Sequence, residues 1–467
     1  MVLSLRTWPR RLIARPWLLG FVPINAATSG FGVVLPLLIL IVLHGSWTDV
    51  AVAATLFNAA VILSSVAWGS LSDRYPLRRL FLVINFGGYA LLYLSLAEVH
   101  SLVALYAIYT VIGLIAPAGA SASNLLILEK FTEAERATAY ASFQEMSILG
   151  SVLGLLIGYF WTLANDALLS LLYVLAGLAA VSAVAIWYGV HDPVRSFTTA
   201  QVAKHPESLF SRIRVSPSFR IAIPFFPHRP SLRSGAIQRF RTWARGELHH
   251  DLPLVFAATF LFSLSANLYN ISYTPYLVSA GLAASAIFLV NFSNNFVQML
   301  VFPLSGGMVT RFGSDRLVQR ATYGRALGYL ATAGFTFFLV ARRGVFEENV
   351  IVFGVLGGAI AVYSTASSLM LFRGLEGHDA GSLLGVNSAL GGVAAVTGAG
   401  LAAVLAAFGS FRLVFLVSAA ALLASLPIWT AASVAYGRRK HSRESPPPSP
   451  PGESRRAADS LGAAKGH

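Results

Sequence analysis

Long apolar runs separated by short polar connections dominate the chain, and their length predicts membrane-spanning helices rather than strands or soluble amphipathic helices. About 20 apolar residues cross about 30 Å of hydrocarbon. By that measure helices are expected near 17–43, 50–70, 80–97, 102–128, 137–161 and 167–189, and again near 252–277, 283–307, 325–341, 349–372, 381–407 and 411–436. The expected fold class is an all-α polytopic membrane protein of twelve transmembrane helices in two six-helix bundles. Its parts are a first bundle over 1–190, a basic linker over 191–250, a second bundle over 251–437 and a tail over 438–467. The tail, with its Ser-Pro-Pro-Pro run, has little to bury and is expected to be disordered.

Composition agrees with a membrane chain: 56% hydrophobic and only 12% charged residues, against about 25% charged in soluble domains. The net charge of +14 is unevenly placed. With the N-terminus inside, every lysine and arginine except Arg342, Arg343 and Arg412 falls on the side of the termini. The positive-inside rule then predicts both termini to be cytoplasmic, in the cell membrane. Arg6, Arg10, Arg11 and Arg15 precede a first run too long for a signal peptide, so an uncleaved first helix is expected. In the linker, Ile237, Phe240 and Trp243 alternate with arginines, the pattern of a short helix lying on anionic lipid. Nucleic acid is not an expected partner, because basic cytoplasmic loops are the ordinary outcome of the orientation rule. The absence of cysteine excludes disulfides and thiolate metal sites. No cofactor or metal is expected.

Two short charged insertions interrupt the apolar pattern at corresponding places. The first is Gly69-Ser-Leu-Ser-Asp-Arg-Tyr-Pro-Leu-Arg-Arg79; the second, Gly306-Gly-Met-Val-Thr-Arg-Phe-Gly-Ser-Asp-Arg316, repeats Gly69 as Gly306 and Arg74 as Arg311. The first copy resembles the signature loop between helices two and three of the major facilitator superfamily, Gly-x-Leu-x-Asp-Arg-x-Gly-Arg-Arg/Lys. Gly69, Leu71, Asp73, Arg74 and Arg78 match it, while Pro76 replaces a glycine and Thr310 replaces the acid in the second copy. The resemblance implies two bundles that rock about a site near the bilayer midplane. It further implies a gating loop in which Asp73 latches one face against a helix of the opposite half.

Helix five carries Gly150, Gly154 and Gly158 on one face. This looks like the glycine motif of proton-coupled exporters of the superfamily, with Leu155 and Tyr159 in place of its proline and last glycine. Tyr109 stands where those exporters often have an arginine in helix four. Small-residue packing between helices accounts for the same pattern. Glu145, beside Gln144, is an acid inside an apolar helix, and such carboxylates serve proton relays or substrate contacts. It is the expected coupling residue.

The other polar positions gather on helices seven and eight. Asn267, Asn270 and Tyr273 recur at three-residue spacing, and Asn291, Asn294, Asn295 and Gln298 form an i, i+3/i+4, i+7 stripe. Asn25, Asn124, Tyr363 and Asn387 are further candidates for the same cavity. No arginine or lysine is expected mid-span, which argues for a neutral polar ligand. The expected function is alternating-access transport of a small organic solute, most favourably proton-coupled export of amphipathic compounds. Uptake of a neutral polar solute such as a sugar is the alternative, and a solute sensor that no longer transports is the alternative of another class. An enzyme is not expected, since no catalytic constellation converges. The expected partners are the solute, protons and anionic lipid, with the chain a monomer.

Overall fold

The computed structural model describes residues 16–74, 77–130, 133–165, 167–190, 251–338, 344–374 and 380–444. Twelve long helices account for nearly all of them. They are α1 (Phe21–Leu37), α2 (Trp47–Arg74), α3 (Arg78–Ala97), α4 (Leu102–Lys130), α5 (Glu133–Ala164), α6 (Leu168–Gly189), α7 (Asp251–Ser279), α8 (Ala284–Phe312), α9 (Ser314–Phe338), α10 (Val345–Gly374), α11 (Ala380–Ala407) and α12 (Phe411–Glu444). Among the described residues, eleven helices are long and apolar enough to cross a membrane. The one that falls short is α9, whose first half carries Asp315, Arg316, Arg320 and Arg325. Pro36 removes a donor within α1, and the ladder widens after it, with Leu43 N–H donating to Leu38 O at 2.9 Å.

The two halves repeat in packing as well as in sequence. In the first half α1 packs on α5 and α6, α2 on α4, and α3 on α4 and α6. In the second the same principal pairings recur: α7 on α11 and α12, α8 on α10, and α9 on α10 and α12. The halves meet along α2 against α11 and α5 against α8, two seams that exchange when the halves are exchanged. Six helices per half bring Pro16, Gly189, Asp251 and Glu444 to one face, here the terminal face; the opposite one is the distal face.

Lipid tails are as apolar as leucine, so helices here are held by close packing and hydrogen bonds rather than by a hydrophobic force between them. Outward residues stay apolar, as at Leu63 and Val103, both mostly exposed. Inside, Ser182 Oγ donates to Gly20 O (2.7 Å), Ser265 Oγ to Ser418 O (2.6 Å), Asn85 Nδ2 to Ile115 O (3.0 Å) and Trp68 Nε1 to Leu114 O (2.8 Å). At equivalent crossings, Gly113 of α4 lies on the carbonyl of Phe57 and Gly357 of α10 on that of Asn294, with no room for a side chain at either.

The charged insertions, expected as loops, are mostly helix. Gly69–Arg74 close α2 and Gly306–Phe312 close α8, where Gly313 ends the helix at a φ of 82°. Gly306 meets nothing within 4 Å, and the exposed Arg311 stands over Phe312. Arg78, the first residue of α3, is fully buried, and the Arg79 guanidinium lies 3.7 Å from the Trp187 ring centroid. Of Gly69, Asp73 and Arg74 only the helical backbone is described, and all of 191–250 and 445–467 lie outside the described residues. The tail expected from 438 begins as helix, because α12 continues to Glu444.

Candidate functional site

Between the halves lies a cavity of about 320 Å³. The first half lines it with Ser29, Gly32 and Val33 of α1 and Leu155 of α5, a wall of small and apolar groups. The second half supplies Asn270, Tyr273 and Thr274 of α7, Asn291, Asn294, Asn295 and Gln298 of α8, Arg325 of α9, and Phe353, Leu356 and Ile360 of α10. At 1.5 Å per residue the α8 amides lie about 10–21 Å from its distal end, near mid-helix. The cavity is therefore polar on one side and mainly apolar on the other.

The polar wall is held by a second layer of bonds. Asn294 Nδ2 donates to Phe353 O (2.7 Å), tying α8 to α10, while its Oδ1 accepts from Gln298 Nε2 (2.9 Å). Tyr273 OH donates to Asn349 Oδ1 at 3.0 Å, and its ring stacks on Phe353 at 4.3 Å. Tyr269 stacks on Tyr329 at 3.8 Å behind them and meets Thr332 Oγ1 at 2.9 Å. Asn291 and Asn295 each spend one amide N–H on a carbonyl four residues back in α8, at 2.9 and 3.2 Å. Their oxygens and remaining N–H groups are left for a ligand.

Asn294 is the keystone of this wall. Asn294→Leu is expected to leave both the Phe353 carbonyl and the Gln298 amide without their partner, at a cost of about 1–3 kcal/mol. A lowered thermal midpoint in detergent checks it, and Asn295→Leu, with a single weaker bond, should fall by less.

Of the sequence-expected cavity residues, the structure brings Asn270, Tyr273, Asn291, Asn294, Asn295 and Gln298 to one place. Others lie elsewhere. Asn25 and Asn267 bond the carbonyls of Phe21 (2.7 Å) and Ser263 (2.8 Å) in their own helices. Tyr363 is buried against Phe262, ring on ring, and Asn387 is half-buried on α11 without lining the cavity. The Asn124 side chain lies outside the described residues. Gln144 and Glu145 are half-buried on α5, and Glu145 is ten residues from Leu155, about 15 Å toward the terminal face. Tyr109 stacks on Phe57 at 4.6 Å.

Arg325 corrects the sequence reading, which began helix nine at this residue and expected no cation mid-span. Helix α9 begins eleven residues earlier, at Ser314, and Arg325 is 3% exposed within it. Its Nε donates to Tyr329 OH at 2.6 Å, and its guanidinium carbon lies 5.0 Å from the Phe262 ring centroid and 5.3 Å from that of Tyr329. The aromatic faces offer a buried cation a favourable surface.

Above the cavity the halves close at the distal face. Trp47 stacks on Phe411 at 4.2 Å, Ala51 packs with Leu268, Ala402 and Val414, and Phe288 of α8 fills the space beside Gly158 of α5. Ser46 and Asp49 fix the start of α2, with the Ser46 N–H and hydroxyl each 2.7 Å from the Asp49 carboxylate and Tyr106 OH donating to it at 2.7 Å.

Two pseudo-equivalent six-helix bundles enclosing a mid-depth cavity are the architecture expected of a facilitator, and the sequence agrees: the description of the Major Facilitator Superfamily matches residues 17–341. The chain belongs to the major facilitator superfamily. It is a membrane transporter and not an enzyme. Among solved structures, the nucleoside transporter NupG is similar at 13% identity, with 90% of this chain and 98% of that one covered and a TM-score of 0.61. A mutant of NupG gives 0.62 at 12% identity, covering 89% of this chain and 98% of that one. An auto-inhibited POT-family peptide transporter gives 0.61 at 12% identity, covering 91% and 96%. At such identities the likeness is one of fold. No curated protein matches the sequence.

Proposed function

We propose that this facilitator carries a small polar organic solute by alternating access, with the α7–α8 amide wall as its binding surface. The observation that carries the reading is the convergence of five side-chain amides and Tyr273 on one cavity between the halves. Neutral donors and acceptors on the wall of an enclosed cleft select hydroxyl, carbonyl and amide groups, because a solute lacking them leaves those groups unpaired. The volume of about 320 Å³ suits a small solute. Nucleosides and peptides, the solutes named for the two similar folds, are both polar.

Export of amphipathic compounds receives less support. The helix-five glycines that suggested it are accounted for by packing: Gly150 and Gly154 lie on α1 and Gly158 on Phe288. Among the described residues lining the cavity there is no carboxylate to receive a lipophilic cation. Glu145 remains the residue proposed for proton coupling, acting away from the cavity on the terminal side.

Solute uptake into reconstituted vesicles tests both parts. Polar solutes are expected to be taken up in preference to lipophilic cations, and Asn291→Ala with Asn295→Ala is expected to raise the half-saturating concentration about tenfold, the worth of one lost hydrogen-bond pair. Glu145→Gln is expected to abolish solute-dependent proton flux while leaving equilibrium solute binding in place. Preferential transport of lipophilic cations, insensitive to the amide substitutions, would contradict the reading.

A further inference from the structure

Arg325 is a buried cation whose obligations are only partly met. A guanidinium carries five N–H donors, and among the described residues its one hydrogen bond is from Nε to Tyr329 OH. No carboxylate among those residues pairs with it, yet it lines the cavity. The rings of Phe262 and Tyr329 flank its charge, at 5.0 and 5.3 Å from the guanidinium carbon. Intramembrane charge is expensive and is retained where a partner or a ligand compensates it. The bond at Nε fixes the plane of the fork, and a fixed fork matches the two oxygens of a carboxylate.

We propose that Arg325 is the anion-recognition residue of the cavity and that the transported solute bears a single carboxylate. The proposal rests on the polar-solute reading above and adds a charge to it. One cation with no carboxylate partner among the described residues, in a cavity whose other lining groups are neutral, balances a monoanion. A phosphate monoester, carrying about −1.5 to −2 at neutral pH, would bring more negative charge than Arg325 alone balances. The amides of Asn291 and Asn295, on the neighbouring α8, would then hold the hydroxyl or amide groups of the same solute.

The test uses purified full-length protein and its thermal midpoint at constant ionic strength. Acetate and acetamide share a shape and differ in charge, so as fragments they probe Arg325 whatever the natural scaffold. Acetate is expected to raise the midpoint more than acetamide; the difference should vanish in Arg325→Gln and persist in part in Arg325→Lys. On a larger scaffold, gluconate, glucose, glucosamine and glucose 6-phosphate vary charge at similar size. Gluconate should bind best, and Arg325→Gln should weaken it about 10- to 100-fold while changing glucose little. Should Arg325→Gln fail to fold, the acetate–acetamide contrast in the wild type and Arg325→Lys still decides. Equal response to acetate and acetamide overturns the proposal. If glucose then binds through Asn291 and Asn295, the polar-solute reading stands alone; if only lipophilic cations bind, both fall.

Discussion

Gly154→Val is expected to lower the yield of folded transporter several-fold. A Cβ at Gly154 would overlap the carbonyl and Cα of Ala26 in α1, which are backbone atoms and have no rotamer by which to withdraw. Helices α1 and α5 would have to part along their whole crossing. Overpacking in a close-packed interior costs about 1–3 kcal/mol where side chains can give way, and a backbone obstacle lies at or beyond the upper end. Against a stability of about 5–15 kcal/mol, a loss of that size raises the unfolded fraction enough to cut abundance several-fold during biosynthesis. The measurement is the yield of monodisperse protein in detergent and its thermal midpoint. Gly177→Ala and Gly324→Ala, where a Cβ meets nothing within 4 Å, are the controls and should lower neither.

Gly158→Leu, one turn further along the same face, is expected to act differently. Its obstacle is the ring of Phe288, fully buried and belonging to the other half. The first bundle therefore still folds, but the distal seam can no longer close as tightly. Since the natural chain has no cysteine, Thr274→Cys alone makes a reporter on the cavity wall, at a position now 6% exposed. An impermeant thiol reagent added to the distal side should label it at least about tenfold faster in the Gly158→Leu background, which corresponds to a shift of about 1.4 kcal/mol in the closing equilibrium. Phe288→Ala added to Gly158→Leu should restore slow labelling, and that non-additivity separates a seam effect from general loosening.

The two glycine predictions show what one chain can and cannot reveal. Spacing alone put Gly150, Gly154 and Gly158 on one face, but which helix faces a glycine is set by tertiary packing, so a transport motif and a packing seam read alike. The amides divide for the same reason. Asn270 and Asn267 sit on one stripe of α7, yet Asn267 turns back to its own helix while Asn270 reaches the cavity. Helix count and the duplication were legible because apolar length and charge placement are imposed by the bilayer itself.

Arg325 was missed because Asp315, Arg316, Arg320 and Arg325 follow one another at short intervals and read as a polar loop. A signal was present. Val318, Thr322, Arg325, Tyr329 and Thr332 recur at steps of three and four, and all are buried on one face of α9. Helical periodicity thus runs straight through the arginine, and a charge standing on the buried stripe is the mark of a residue held for function.

Alternating access is the central claim, and its most direct test is to lock the distal seam. Trp47→Cys with Phe411→Cys places two thiols where the rings now stack between the halves, and a short, reductively cleavable bifunctional reagent can join them. The account predicts that cross-linked protein in vesicles still binds its solute, judged by thermal stabilisation, but no longer exchanges it, and that reduction restores exchange. Undiminished solute exchange through the cross-linked protein would contradict it.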